Sequence, residues 1–199
     1  MCNLYRMRSS VDELRGAFGR FVGDTTNLPA YDAIYPDREA PVLRHANGAL
    51  TLERLTWGVP PPAKVSRPVT NVRNLSSPFW RAMLQTPDQR CLVPVTSFCE
   101  WTGEAGAKSE VWFGMVDDAP FAFAGIWRST DDGARMAFLT CAPNELVGAI
   151  HPKAMPVIVQ PEDREQWLIG NYDEATALAR SLPDDQMRIV EDERPATLL

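Results

Sequence analysis

The chain has 199 residues, 45% of them hydrophobic, with 20 Lys plus Arg against 26 Asp plus Glu, 2 His and 4 Cys. This suits one soluble globular domain with a sizeable core, and a formal net charge of -6 excludes nucleic-acid binding through bulk positive charge. Two histidines, and four cysteines with no C-x-x-C pair, exclude a zinc site of usual spacing, so neither metal nor cofactor is expected. A charged-then-apolar leader and an apolar run of about 18 residues are both lacking, so the expected setting is a reducing cytoplasm with free thiols, Cys91 and Cys99 included, and no membrane.

The charge is unevenly spread. Residues 161–199 hold ten acidic and four basic side chains, a local net of -6, which leaves the first 160 residues neutral. Residues 41–90 hold seven basic side chains (Arg44, Arg54, Lys64, Arg67, Arg73, Arg81, Arg90) against Glu53 and Asp88, a net of +5. Such a stretch is either an ordinary solvated face or an anion-binding one.

In chain order, Ser10-Val-Asp-Glu13 is a capping box, and Val11, Leu14, Phe18 and Phe21 recur at helical spacing, predicting a helix over 10–21. Residues 22–41 are rich in Gly, Asp, Asn and Pro and read as loop. Strands are predicted at 42–45 and 49–56, then a Pro-rich loop at 59–64 and a short helix at 77–85. Apolar segments at 91–95, 111–116, 121–127 and 135–140, rich in Val, Phe and Trp and separated by turns, predict a mostly antiparallel sheet. Helices are predicted at 143–149, 161–169 and 173–181, with an acidic tail from Glu191 as a frayed end or surface strap. The sum is a single α+β domain over 1–199, its acidic 161–199 segment included.

Four residues carry candidate chemistry. If Met1 is removed, Cys2 presents a thiol beside an α-amine whose ordinary pKa is about 7.7 to 8.0. This aminothiol can form a Schiff base with an aldehyde and close a thiazolidine ring, or act as an amidohydrolase-type nucleophile; the plain alternative is a small residue at a chain end. His151, in Ile-His-Pro-Lys, sits at a helix-to-strand boundary and is either a proton-transfer group or a packing residue. His45 reads as an ordinary strand residue. Glu100, between Phe98 and Trp101, is either a desolvated acid-base carboxylate or a structural one. Asn71 lies in Thr70-Asn-Val-Arg-Asn74, followed by Ser77-Pro-Phe-Trp-Arg81. Arginines beside Trp57 and Trp80 suit phosphate contact and base stacking, although core packing is the commoner use of tryptophan.

Taken together, Met-Cys at the start, Trp57-Gly-Val-Pro, Asn71-Val-Arg73, Arg90-Cys-Leu-Val-Pro94, Phe98-x-Glu-Trp101, Phe123-Ala-Gly-Ile-Trp127, Thr140, Ile150-His151 and Met155-Pro-Val-Ile resemble, in order, the SRAP (SOS response-associated peptidase) family. The resemblance implies a twisted, mostly antiparallel sheet with an open barrel-like core flanked by short helices. It implies a monomer that senses abasic sites in single-stranded DNA in the DNA-damage response, associating with the nucleoid when engaged, and shields them by a covalent thiazolidine crosslink. This is lyase-type Schiff-base chemistry, with a peptidase or autopeptidase activity suggested by the family name. By the same resemblance Cys2 is the nucleophile, Asn71 positions the sugar and the N-terminus, Glu100 orients the amine and shuttles protons, and His151 assists ring opening and reversal. Arg73, Arg81 and Lys153 would hold phosphates, and Trp57 and Thr140 would line the DNA groove.

Three departures stand out. Leu4 replaces a usual arginine, whose contact Arg6 or Arg8 would have to supply. The segment from His151 to Pro156 is one residue longer than in many relatives, with Lys153 supplying the charge but not the planar grip of an arginine. Cys99 replaces an aromatic residue, which implies roomier and redox-sensitive surroundings for Glu100. The alternatives are a thiol peptidase using Cys2, Glu100 and His151, and a non-covalent reader of single strands in which Cys2 is idle.

Overall fold

The computed structural model describes residues 2–23, 28–61, 67–104 and 107–191. The strands, in chain order, are β1 Tyr5–Met7, β2 Val22–Gly23, β3 Tyr31–Ile34, β4 Glu39–Ala46, β5 Ala49–Trp57, β6 Asn71–Val72, β7 Arg90–Val95, β8 Ser97–Thr102, β9 Ser109–Met115, β10 Phe121–Thr130, β11 Gly133–Cys141, β12 Met155–Pro156, β13 Ile158–Val159 and β14 Met187–Val190. The helices are α1 Val11–Phe18, α2 Pro78–Gln85, α3 Glu145–Gly148, α4 Arg164–Ile169 and α5 Tyr172–Ala177.

The long strands β11, β10, β7, β4 and β5 pair in that order, and β5 returns parallel to β11, so the barrel is closed rather than open. Full closure leaves no free edge among these five. A second sheet runs β14-β9-β8-β1-β3, entirely antiparallel. Between the two sheets Tyr5, Trp57, Phe123 and Phe138 form an aromatic centre, with Tyr5 and Trp57 ring centroids 5.1 Å apart and Phe123 and Phe138 4.7 Å apart. The α+β class and the mostly antiparallel pairing match the sequence reading.

The capping box forms, with Glu13 Oε2 accepting from the Ser10 amide at 2.7 Å, but α1 stops at Phe18 because Gly19 takes φ 79°. Phe21 lies beyond it and is buried all the same. Seven strands escape the sequence pattern, among them the two-residue β2, β6 and β12. β3 and the first residues of β4 fall in the stretch read as loop, and β1, β8 and β14 are also new. β3 is an edge strand whose Asp32 and Ala33 face solvent, so it shows no apolar alternation. The proposed strap beyond Glu191 lies outside the described residues.

Arg90, counted above in the basic stretch, is fully buried. Its guanidinium donates to the carbonyls of Trp167 and Gly170, each at 2.6 Å, and so ties the end of α4 to the barrel. At Gly125, in the middle of β10, an added Cβ would sit 2.6 Å from Cys91 Sγ and 2.8 Å from Val93 Cγ2. Gly125→Ala is therefore expected to lower stability by about 1 to 3 kcal/mol in urea denaturation. Cys91→Ala in the same chain should restore part of that loss, because it removes one of the two clashing atoms.

Candidate active site

Cys2 enters the fold through β1. The register Tyr5↔Phe98 and Arg6↔Ser97, continued by the Cys99 amide donating to the Leu4 carbonyl at 2.9 Å, carries the first residues along β8 toward Glu100 and Trp101. Trp101 Nε1 donates to Asn3 Oδ1 at 3.2 Å, which fixes the turn out of the strand. Cys2 itself is 1% exposed, its thiol 3.5 Å from the Leu4 carbonyl. Burial, and then the nearby Glu100 carboxylate, push the thiol pKa well above its ordinary value, so it is protonated at neutral pH.

Asn71 is brought to this point by β6, which pairs parallel with β11 at Phe138. Its Nδ2 donates to the Cys2 carbonyl at 3.0 Å and to Thr70 Oγ1 at 2.8 Å. The Asn71 Oδ1 is buried and has no hydrogen-bond partner among the described residues, so it presents an acceptor to whatever enters the site.

Glu100 lies on β8 and is 2% exposed. Burial raises its pKa to about 7, against the downward pull of the amino-terminal charge. His151 follows α3, with its amide held by the Val147 carbonyl at 2.7 Å, and its Nδ1 is 3.7 Å from Glu100 Oε2. That separation is electrostatic contact rather than a hydrogen bond. Burial, the amino-terminal charge and Lys153 lower the His151 pKa. The pair therefore sets an imidazole biased toward its neutral form beside a carboxyl that holds its proton well above the ordinary range, an arrangement suited to proton exchange.

The structure thus brings together Cys2, Asn71, Glu100 and His151. Arg73 and Arg81 are exposed, the former donating to the Cys141 carbonyl and the latter lying 5.5 Å from the Tyr172 ring centroid. Lys153 is exposed two residues beyond His151.

Two groove assignments are corrected. Trp57 is fully buried, its ring stacked on Phe138 at 5.0 Å and its Nε1 donating to the Thr70 carbonyl at 3.1 Å, so it offers no face to a base. Thr140 is also buried, its hydroxyl 3.5 Å from the Val72 carbonyl, and it fixes the strand behind Asn71. Trp80, also read as a candidate stacking residue, is core.

Nor do the departures act as expected. Cys99 points away from Glu100, into a small outer cluster with Leu4 and Trp112, where burial lifts its thiol to about 12. Arg6 lies 3.5 Å over the Trp112 ring with its Nε on the Asp32 carbonyl, and Arg8 pairs with Asp32, so neither stands in Leu4's place. Thr70, whose hydroxyl accepts from Asn71 Nδ2, was missed, as was Asn3, next to Cys2 and held by Trp101. Among the described residues no group of three or more His, Cys, Asp or Glu side chains is placed to hold a metal ion.

Residues 1–193 match the family model described as SOS response associated peptidase (SRAP). No curated protein matches the chain. Among solved structures, a protein from Bacteroides thetaiotaomicron is similar with a TM-score of 0.77 at 20% identity, over 96% of this chain and 93% of that one. A protein from Bordetella bronchiseptica gives 0.78 at 19%, over 96% and 100%. A phage-related protein from the same organism gives 0.77 at 21%, over 97% and 95%. At these identities the likeness shows the fold.

The raised Glu100 pKa has a consequence for stability. An unfolded glutamate releases its proton near pH 4.5, whereas the folded protein keeps it to about pH 7. The folded state therefore binds more protons across that window, and the contribution of this group to stability falls as the pH rises through it. His151, with its lowered pKa, works in the opposite direction, but it does so in parent and variant alike. Relative to the parent, Glu100→Gln should gain roughly 1 to 3 kcal/mol between pH 5 and pH 8 in chemical denaturation. A difference independent of pH would contradict the raised pKa.

Proposed function

Because the chain belongs to the SRAP family, and because its buried Cys2 shares one site with Asn71, Glu100 and His151, we propose that it captures abasic sites in single-stranded DNA as a covalent crosslink through Cys2. The observation that carries this reading is the gathering of an aminothiol residue, an amide holding its carbonyl and a buried carboxyl 3.7 Å from an imidazole.

The chemistry follows from the protonation states. Removal of Met1 gives Cys2 a free α-amine. The thiol is protonated, so the amine attacks first: its nitrogen adds to C1 of the ring-opened deoxyribose, and loss of water leaves an imine. The thiol sulfur then adds to the same carbon, its proton ends on the nitrogen, and a five-membered thiazolidine closes. Aldehyde and aminothiol become ring and water, with no oxidant or reductant. Glu100, which burial holds protonated well above the ordinary carboxylate range, gives a proton to the departing water and takes one from the thiol, and His151 exchanges protons with it. Asn71 holds the Cys2 carbonyl, so the amine is presented in one orientation, as a near-attack geometry requires. Arg73, Arg81 and Lys153 are the exposed cations assigned to the phosphates.

The family name suggests a peptidase. A thiol protonated by burial is a poor stand-alone proteolytic nucleophile, which favours the aldehyde reaction, in which the amine leads.

With Met1 removal verified by intact mass, the protein incubated with an abasic single-stranded oligonucleotide should give a product stable to heat and detergent. Cys2→Ala should give none, and His151→Ala should slow its formation by roughly 100-fold. Absence of the adduct from protein shown to lack Met1 would sink the proposal. Salt-sensitive binding of intact DNA, unchanged in Cys2→Ala and without an adduct, would instead mark a non-covalent reader.

A further inference from the structure

At the far end of β1 from Cys2 lies a second concavity, of about 410 Å3. Three guanidiniums line it, Arg6 from β1, Arg8 just beyond the end of β1 and Arg188 from β14, together with Ser97, Asp118 and Glu191. Arg6 and Arg8 stand on either side of the buried Met7 in sequence, and both line this pocket.

The three arginines are held differently. Arg6 is 4% exposed, clamped between the Trp112 ring at 3.5 Å and the Asp32 carbonyl at 3.1 Å, and supplies a fixed positive charge. Arg8 and Arg188 each pair with one carboxylate that is largely in water, Asp32 at 74% and Asp118 at 72% side-chain exposure. Exposed pairs of this kind contribute about 0 to 1 kcal/mol, so an incoming phosphate can take over either guanidinium. The planar fork of arginine suits a phosphodiester. Between Cys2 and Arg8 there is at most about 22 Å of extended chain, which is within reach of a few nucleotides of the strand held at Cys2.

We propose that this arginine pocket seats a phosphate of the single strand whose abasic sugar is bound at Cys2, a contact absent from the sites already described. It rests on the reading of the Cys2 site as an abasic-DNA site. Leu4 is buried, and the positive charge of this pocket comes from Arg6 on β1, Arg8 just beyond its end and Arg188 on β14.

Fluorescence anisotropy tests this with a strand carrying a tetrahydrofuran abasic analogue, which has no aldehyde and cannot crosslink. The reading is thus independent of the covalent chemistry. The R8Q/R188Q double variant of the full chain should bind several-fold more weakly. Its slope of log affinity against log salt should shrink by about 0.7 for each lost phosphate contact. Single methylphosphonate replacements along the strand should reveal one position a few nucleotides from the analogue that weakens the parent and leaves the double variant unmoved.

Equal affinity and equal salt slope in parent and double variant would overturn the proposal. So would a result in which inorganic phosphate, at matched ionic strength, binds the parent more tightly than the double variant while DNA binding is the same in both, because the pocket would then hold a free anion. An abasic aldehyde strand that gives no adduct with the parent fails the crosslinking reading alone, and the anisotropy result still decides the pocket.

Discussion

The pairing of β1 with β8 is the constraint on which the rest of the molecule depends. Through the Leu4 carbonyl to the Cys99 amide at 2.9 Å and the Arg6 carbonyl to the Thr96 amide at 2.8 Å, it draws the start of the chain into a sheet interior. Because side chains alternate along a strand, this one register sends Tyr5 and Met7 into the aromatic core and Leu4 and Arg6 to the outer cluster around Trp112. A slip of one residue would bury Arg6 among the aromatics and expel Tyr5, so the register is strongly specified. Cys2 is held where it is because the strand that follows it cannot move.

That placement decides the electrostatics of the site. A free thiol, a carboxyl group and an imidazole meet in a poorly solvated space, where each would carry a charge only at a cost. The outcome is that burial raises Cys2 and Glu100 and lowers His151, all toward their neutral forms. A site of neutral, proton-exchanging groups is ill suited to direct thiolate attack and well suited to imine chemistry, in which protons are moved repeatedly and no strong base is needed. The physical state of these residues therefore suits the proposed capture, in which the amine leads and the thiol follows.

The barrel strands were legible in the sequence because each carries apolar residues between turn residues, in near-continuous runs in β7 and β10, and α1 because its capping box is local. β1, β3, β8 and β14 were not, since they are short, partly exposed or interrupted by polar residues, and their pairing is with distant segments. Of the site, the residue types and the family order were legible and the geometry was not: Asn71 meets Cys2 across 69 positions. Trp57 shows the limit most plainly. A tryptophan within a basic stretch reads as a stacking platform or, more commonly, as core, and its contact with Phe138 and the Thr70 carbonyl decides for core.

The charge count carries the same lesson in another form. Residues 41–90 sum to +5, yet Arg90 is fully buried with its guanidinium on two carbonyls, and Arg44 is locked bidentately onto Glu53, both bonds at 2.9 Å. These two cations are occupied in holding the fold. Meanwhile Arg6, Arg8 and Arg188, which converge on one cavity, are separated by up to 182 positions and lie outside that window altogether. Arg188 even belongs to the acidic 161–199 segment. The field met by a polyanion is set by which guanidiniums share a surface and how firmly each is already engaged, and a sum along the chain measures neither. An acidic protein can therefore approach DNA through a small number of focal cations, provided that its excess of carboxylates lies elsewhere or, like Asp32 and Asp118, can yield its partner to a phosphate.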